Sequence, residues 1–196
     1  LIVVLDYDMG NLRSVVKAIE FLGFECRVQR NLQGASKVVL PGVGAFGAAM
    51  ERLQPIAEDI CKFAVDGGPL LGICLGQQLL FEHSEEWGDN RGLGLVPGSV
   101  KYFEAKPGLK IPHMGWNEVR FVQPQGLGEG AQVGDQVYFV HSLYTECLEP
   151  EDIAAECTYG ITFAAAIQRK NVWGTQFHPE KSGDVGLRML GNFLSC

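Results

Sequence analysis

The chain predicts an α/β fold of the flavodoxin-like type: a mostly parallel sheet with helices on both faces and antiparallel strands added at one edge. Three observations carry this expectation. Apolar, strand-like runs alternate with amphipathic stretches through the first eighty residues, the pattern of parallel strands joined by crossover helices. From about Val96 onward the pattern changes to short strands joined by turns, which suits antiparallel pairing. Hydrophobic residues make up 46% of the chain and charged residues 20%, enough apolar matter to bury a full core.

The elements follow in order. Leu1–Asp6 reads as a buried strand, and Asn11 as the N-cap of a helix whose Leu12, Val15, Val16, Ile19 and Leu22 keep the three-and-four spacing of one buried face. Gly23 supplies the stop. Cys26–Gln29 is a short strand, and Lys37–Leu40 a third that ends at Pro41. Two helical stretches come next, the second opening on Pro55 at a natural first-turn position. Pro69–Ile73 is a wholly apolar strand and Leu75 to His83 the next helix. Strands are expected at Val100–Phe103, Glu118–Val122, Gln136–Val140, Ile153–Cys157, Phe163–Gln168 and Val172–Gln176, with a last helix from about Asp184 to Leu194. No repeat, linker or low-complexity segment interrupts the 196 residues, so one domain spanning 1–196 is expected.

Several function classes are disfavoured. A net charge of −7 without a Lys/Arg cluster argues against a nucleic-acid partner, since phosphate binding needs a basic face. Apolar runs such as Pro69–Ile73 and Ala164–Ile167 fall far short of the roughly 20 residues that span a bilayer, so no membrane is expected. The opening Leu1-Ile2-Val3-Val4-Leu5-Asp6 has the look of a strand rather than a signal peptide, and the lack of an initiator Met suggests that a residue or so precedes it. Six cysteines (26, 61, 74, 147, 157 and 196) form no CxxC pair, so neither a disulfide framework nor a metal site is expected, and a cytoplasmic setting with reduced thiols fits.

One cysteine has a chemical context. Gly72-Ile73-Cys74-Leu75-Gly76 follows a strand and opens a helix, the pattern of a nucleophile elbow with Cys in place of Ser. The nucleophile of such an elbow sits on a tight, strained turn, and side chains two residues to either side would collide with backbone. The helix N-terminus would favour the thiolate of Cys74. A buried Cys in a glycine-rich turn has the same local appearance, so the partners decide.

A cysteine that attacks an amide needs a base to move its proton. Phe177-His178-Pro179-Glu180 follows the strand Val172–Gln176. Pro179 pushes His178 into an extended conformation, where residues two apart face the same side, so Glu180 can accept the other imidazole N–H and set the tautomer. A surface loop with an incidental His and Glu reads the same way in isolation.

Together, Leu71-Gly72-Ile73-Cys74-Leu75-Gly76-Gln77-Gln78 and Gln176-Phe177-His178-Pro179-Glu180 resemble class I glutamine amidotransferases, and the resemblance covers essentially the whole chain. It implies a glutaminase with the triad Cys74, His178 and Glu180, and no cofactor or metal. Leu40-Pro41-Gly42-Val43-Gly44, Pro112-His113-Met114-Gly115-Trp116-Asn117, Tyr138-Phe139-Val140-His141-Ser142, His178-Pro179-Glu180-Lys181-Ser182 and Met9-Gly10-Asn11-Leu12-Arg13-Ser14 are similar to one branch of that family. In that branch the glutaminase pairs as a heterodimer with a (β/α)₈-barrel cyclase of histidine biosynthesis. The cyclase uses the ammonia to make imidazole glycerol phosphate and an aminoimidazole carboxamide ribotide. Two positions depart from the pattern: Asp8 stands where a small residue or Gly is usual, and Leu143 where an aromatic is common.

The resemblance assigns an oxyanion hole to the amides of Gly42, Val43, Gly44 and Leu75. Substrate contacts are carried over to Gly44, Gln78 and the backbone of His141, Ser142 and Leu143. Asn11, Arg13, Trp116, Tyr138 and Lys181 become partner-facing residues. From the residues alone, Gln78 reads as an exposed helix residue, Trp116 and Tyr138 as core aromatics, Lys181 as a solvated charge, and His113 and His141 as satisfied structural histidines. Gly42-Val43-Gly44-Ala45-Phe46-Gly47 also matches the dinucleotide pattern G-x-G-x-x-G, although after the third strand rather than the first. A nucleotide-binding flavodoxin-like module and a glutaminase serving anthranilate or pyridoxal phosphate synthesis are therefore the alternatives.

Overall fold

The computed structural model describes residues 1–196. Its first part keeps the expected alternation: β1 (Ile2–Leu5), α1 (Leu12–Phe21), β2 (Cys26–Gln29), β3 (Lys37–Gly42), α2 (Phe46–Leu53), α3 (Ala57–Val65) and β4 (Leu70–Cys74). Pro55 lies in a 3₁₀ turn, Gln54–Ile56, that leads into α3. Next come α4 (Leu75–Leu79), β5 (Phe81–Ser84), β6 (Asn90–Arg91) and β7 (Val96–Tyr102). The remainder is β8 (His113–Glu118), β9 (Arg120–Phe121), β10 (Gln136–His141), β11 (Leu143–Cys147), β12 (Ile153–Tyr159), β13 (Ile161–Arg169), β14 (Val172–Thr175) and α5 (Gly183–Ser195).

Eight strands form the main sheet in the order β2-β1-β3-β4-β14-β13-β12-β9. The first five run parallel and the last three are added antiparallel, as expected for one edge. The period of two along each strand divides its side chains between two cores. Ile2, Val4, Val39, Leu71 and Ile73 face α1 and α5, where Val15, Ile19, Met189, Leu190 and Phe193 meet them. Val3, Leu5, Val38, Leu40 and Leu70 face the other side and pack on Phe46 and Leu53 of α2, Ile60 of α3 and Leu79 of α4. Helices therefore cover both faces, which keeps the apolar side chains on each side of the parallel strands away from water.

Several boundaries differ from the sequence reading. The helix expected over Leu75–His83 stops at Leu79, and Phe81–Ser84 becomes a strand. Leu79, Leu80 and Phe81 are all fully buried, and from Phe81 the backbone pairs with β6 and β7 rather than with its own preceding turn. β3 does not end at Pro41 but runs on to Gly42, which pairs with Cys74 across β4. Asn11 stands at the N-cap of α1 without a side-chain cap bond. The stretch expected as one strand over Glu118–Val122 is divided between the end of β8 and β9. Two small sheets, β10-β8 and β11-β7-β5-β6, lie outside the main one. Their strands β8 and β11 were not expected, because their pairing partners are distant in sequence.

Candidate active site

Cys74 is the last residue of β4 and turns the chain into α4 with φ 56° and ψ −109°. A non-glycine residue there costs on the order of 1–3 kcal/mol and survives only where its surroundings dictate it. Two glycines let the turn close. A Cβ on Gly72 would lie 2.5 Å from the carbonyl oxygen of Gly76, and one on Gly76 would run into the carbonyl oxygen of Leu40. The expected collisions are thus present at both positions. Because β4 pairs with both β3 and β14, Cys74 emerges at the carboxyl ends of the central strands, between Gly42 and the segment that carries His178.

His178 is extended, with φ −95° and ψ 99°, and Pro179 starts a 3₁₀ turn that brings Glu180 round. The His178 Nδ1–H donates to Glu180 Oε1 at 2.8 Å, with both side chains almost wholly inaccessible. The other ring nitrogen, Nε2, is buried with no ordinary hydrogen bond. Burial by itself favours the neutral ring, but its interactions with Cys74 and Glu180 outweigh that and push His178 up to about 10. The ring is therefore a cation at neutral pH, between a sulfur and a carboxylate.

Ser182 ties this segment down. Its hydroxyl donates to the His178 carbonyl at 2.6 Å and accepts the Tyr138 N–H at 2.9 Å, while the His178 N–H donates to the Tyr138 carbonyl at 3.0 Å. The sequence places Ser182 in the stretch that follows His178 but gives its side chain no role, because one of its two partners, the Tyr138 N–H, comes from β10.

A cavity of about 310 Å³ opens over Cys74. Its walls include Val43, Gly44, Leu75, Gln78, Glu86, His141, Ser142, Leu143 and His178, so Cys74, His178 and the predicted substrate positions converge there, with Glu180 behind His178 and Gly42 just behind as the strand partner of Cys74. Gln78 is buried rather than exposed; its Nε2 donates to the Leu143 carbonyl at 3.3 Å and to Gln176 Oε1 at 3.0 Å. Gln176 Nε2 in turn points at Cys74 Sγ at 3.8 Å. Sequence reasoning missed two further residues. Glu86 places a carboxylate in the wall, and its Oε2 accepts the Phe46 N–H at 2.5 Å. Tyr7, buried behind the loop, donates its hydroxyl to the Pro41 carbonyl at 2.7 Å. Neither lies in a motif.

In the Gly42–Gly44 loop one amide is already engaged elsewhere. The Val43 N–H donates to the Met9 carbonyl at 2.7 Å, so this amide points toward the first βα turn and not toward Cys74. Gly44 follows with φ 105°, a value open to glycine and to few other residues. The dinucleotide pattern over Gly42–Gly47 fares poorly, since the Glu86 carboxylate already caps the first turn of α2 where phosphates would have to bind.

Of the residues expected to face a partner, Arg13 and Lys181 are exposed and Asn11 is half-buried. Trp116 is 55% exposed and lies opposite the half-buried Tyr138 across β8 and β10, ring centroids 6.2 Å apart. Reading the two aromatics as core residues is therefore wrong. Met114, 63% exposed, continues the same face toward Val140 and the cavity wall. No helix of the chain is long and apolar enough to cross a membrane.

A buried Cys-His-Glu constellation on a strained elbow, at the carboxyl end of a doubly covered sheet, defines a thiol-dependent amidase class. The sequence pattern of the class-I glutamine amidotransferase family matches residues 3–195, and the chain belongs to that family. Within it, the chain is 50% identical to the imidazole glycerol phosphate synthase subunit HisH of Synechocystis, over 98% of this chain and 95% of that one. It is 48% identical to the subunit of the same name from Syntrophotalea carbinolica, over 98% of each chain. Among solved structures, a glutamine amidotransferase superposes with a TM-score of 0.78 at 20% identity, covering 99% of this chain and 97% of that one. A chain of PurLQS from Thermotoga maritima gives 0.76 at 20% identity, covering 99% and 97%. These two likenesses speak for the fold.

Proposed function

We propose that the chain, acting as one domain over residues 1–196, hydrolyses glutamine to glutamate and ammonia and delivers the ammonia to a cyclase subunit of imidazole glycerol phosphate synthase. The observation that carries the chemistry is Cys74 on its strained turn beside His178, with Glu180 bound to the far side of the imidazole at 2.8 Å. Cys74 sulfur attacks the carboxamide carbon. The C–N bond breaks as His178 gives its proton to the leaving nitrogen, and ammonia departs. Water then attacks the thioester carbonyl with neutral His178 accepting its proton; the C–S bond breaks, which releases glutamate and leaves the Cys74 sulfur beside the protonated ring it started from. Glu180 holds the ring and offsets its charge. The amides of Leu75 and of the Gly42–Gly44 loop stabilise the oxyanion once Val43 has turned. Gln78 and the backbone of Gly44 and His141–Leu143 hold the amino-acid part of the substrate, and the Glu86 carboxylate offers a counter-charge for its ammonium.

The identity with the HisH subunits supports the choice of acceptor over anthranilate or pyridoxal phosphate synthesis. The cyclase, a (β/α)₈ barrel in a heterodimer, seats on the exposed Met114 and Trp116 with Asn11, Arg13, Tyr138 and Lys181 around them, and the complex works in the cytoplasm. The test is substitution at the nucleophile. Cys74→Ala or Cys74→Ser is expected to abolish glutamine-dependent product formation while ammonia-dependent cyclisation by the complex survives. Glutamine-dependent activity near wild type in Cys74→Ala would remove the assignment.

A further inference from the structure

We infer that His113 and His141 are positioning residues for glutamine, a buried pair whose single direction of hydrogen bonding ties the exposed strand β8 to the wall of the substrate pocket. This rests on the glutaminase reading above.

The direction follows from both ends. At one end the Leu143 carbonyl can only accept, so the His141 nitrogen 2.6 Å away, Nδ1, carries a proton. At the other end Asn117 Oδ1 accepts the Glu118 N–H at 2.8 Å, which leaves Asn117 Nδ2 to donate to His113 Nε2 at 3.3 Å. His113 Nε2 is then an acceptor, its proton sits on Nδ1, and Nδ1–H donates to His141 Nε2 at 2.9 Å. Asn117 to His113 to His141 to Leu143 is thus one chain of donors with no choice left open. A second proton on either ring would set N–H against N–H.

The surroundings enforce that neutrality. His113 stacks between Phe139 and Tyr159, with ring centroids 4.6 and 4.0 Å away, and His141 lies against Phe103 and Phe163. Burial pushes His113 down to about 4; burial, with the positive His178 nearby, takes His141 down to about 3. The Leu143 carbonyl at the end of the chain also accepts from Gln78 Nε2. The pair therefore fixes the pocket wall and the Gln78 side chain at once. It begins on the strand whose other face carries Met114 and Trp116, so a partner seated there pulls on the same line.

The test uses the full chain in complex with its cyclase. His113→Phe keeps the ring between Phe139 and Tyr159 but deletes the donor; His113→Asn keeps a donor near the place of Nδ1. His113→Phe is expected to raise KM for glutamine roughly tenfold with a smaller change in kcat, and His113→Asn to recover most of it, with ammonia-dependent cyclisation equal in all three. Nitrogen-15 NMR of the unmodified chain at pH 7 is expected to find both rings neutral and protonated at Nδ1. A wild-type KM in His113→Phe, a loss that His113→Asn shares in full, or any other tautomer or a cation at either ring would overturn the inference. Should His113→Phe not fold, the NMR result decides alone. A wild-type complex without glutamine turnover removes the glutaminase reading itself; normal turnover beside an unchanged variant removes only the positioning role.

Discussion

His178 is a buried cation because its interactions with Cys74 and Glu180 outweigh its burial, and the share of Glu180 can be tested by itself. Removing one charge with Glu180→Gln leaves a side chain that still accepts from Nδ1, so turnover should fall less than in His178→Ala. The His178 titration, followed by NMR, should drop from about 10 toward the ordinary imidazole range. Equal losses of turnover in the two variants, or an unmoved titration, would show that Glu180 is no orienting acid. Ser182 is the other residue whose role reaches beyond itself. Ser182→Ala strips a donor from the His178 carbonyl and an acceptor from the Tyr138 N–H. A loss of about 1–3 kcal/mol in urea unfolding is expected for buried groups left unpaired, with slower turnover because His178 is no longer pinned.

Among the elements, the loop between β3 and α2 is the one predicted to switch. Its Val43 amide is held by Met9, and an absent oxyanion donor costs about 10²–10³ in rate. Gly44 at φ 105° allows the adjoining peptide to turn at modest cost. A partner whose ligand-bound form prefers the turned loop would switch the enzyme on by that difference in free energy. Glutamine turnover is therefore expected to rise from the isolated chain to the complex, and again when the complex binds its ribotide ligand. Equal rates in all three would make the loop a fixed feature. Gly44→Val should lower activity and shrink the ratio between the ligand-bound and free complex. The first βα turn bears on the same hydrogen bond. Asp8, beside Met9, has φ 65° and accepts two hydrogen bonds from Arg30, at 3.1 and 2.5 Å. Asp8→Gly relieves the backbone as it loses the ion pair, whereas Asp8→Ala keeps the strain of about 1 kcal/mol and should be the less stable of the two in urea.

For the whole molecule, the histidines predict how stability varies with pH. His113 and His141 are held near 4 and 3 in the fold, below the 6.5 of an ordinary imidazole. The unfolded chain then binds more protons than the folded one as pH falls below 6.5, and stability declines on that side. His178 is raised to about 10, so its contribution is complete below 6.5 and is lost as pH climbs toward 10. Unfolding free energy should therefore peak near pH 6.5, each histidine contributing a slope of at most about 1.4 kcal/mol per pH unit. Urea titrations between pH 5 and 9 check this, with His113→Phe flattening the acid limb. A profile level across that range would contradict the assigned charge states.

Local patterns in the sequence were enough for the alternating βα units, the elbow at Gly72–Gly76 and the extended His178-Pro179-Glu180, because strand periodicity, glycine sterics and the constraint of proline act within a few residues. The resemblance of the motifs drew Gln78 and the Gly42–Gly44 loop to the pocket they line and singled out Trp116 and Tyr138, which are not core residues. Other features depended on chain segments far apart. Phe81–Ser84 is a strand because β7 pairs with it, although the apolar Leu79–Phe81 that leads into it suits a helix as well. Glu86 meets Phe46 across forty residues, Tyr7 reaches Pro41, and Ser182 braces His178 through Tyr138. The direction of the Val43 amide is a matter of one peptide's rotation, which composition does not encode and the Met9 carbonyl does. Burial likewise holds His113 and His141 neutral, while Cys74 and Glu180 keep His178 charged in spite of its burial: three imidazoles alike in sequence differ by the neighbours that the fold brings to each.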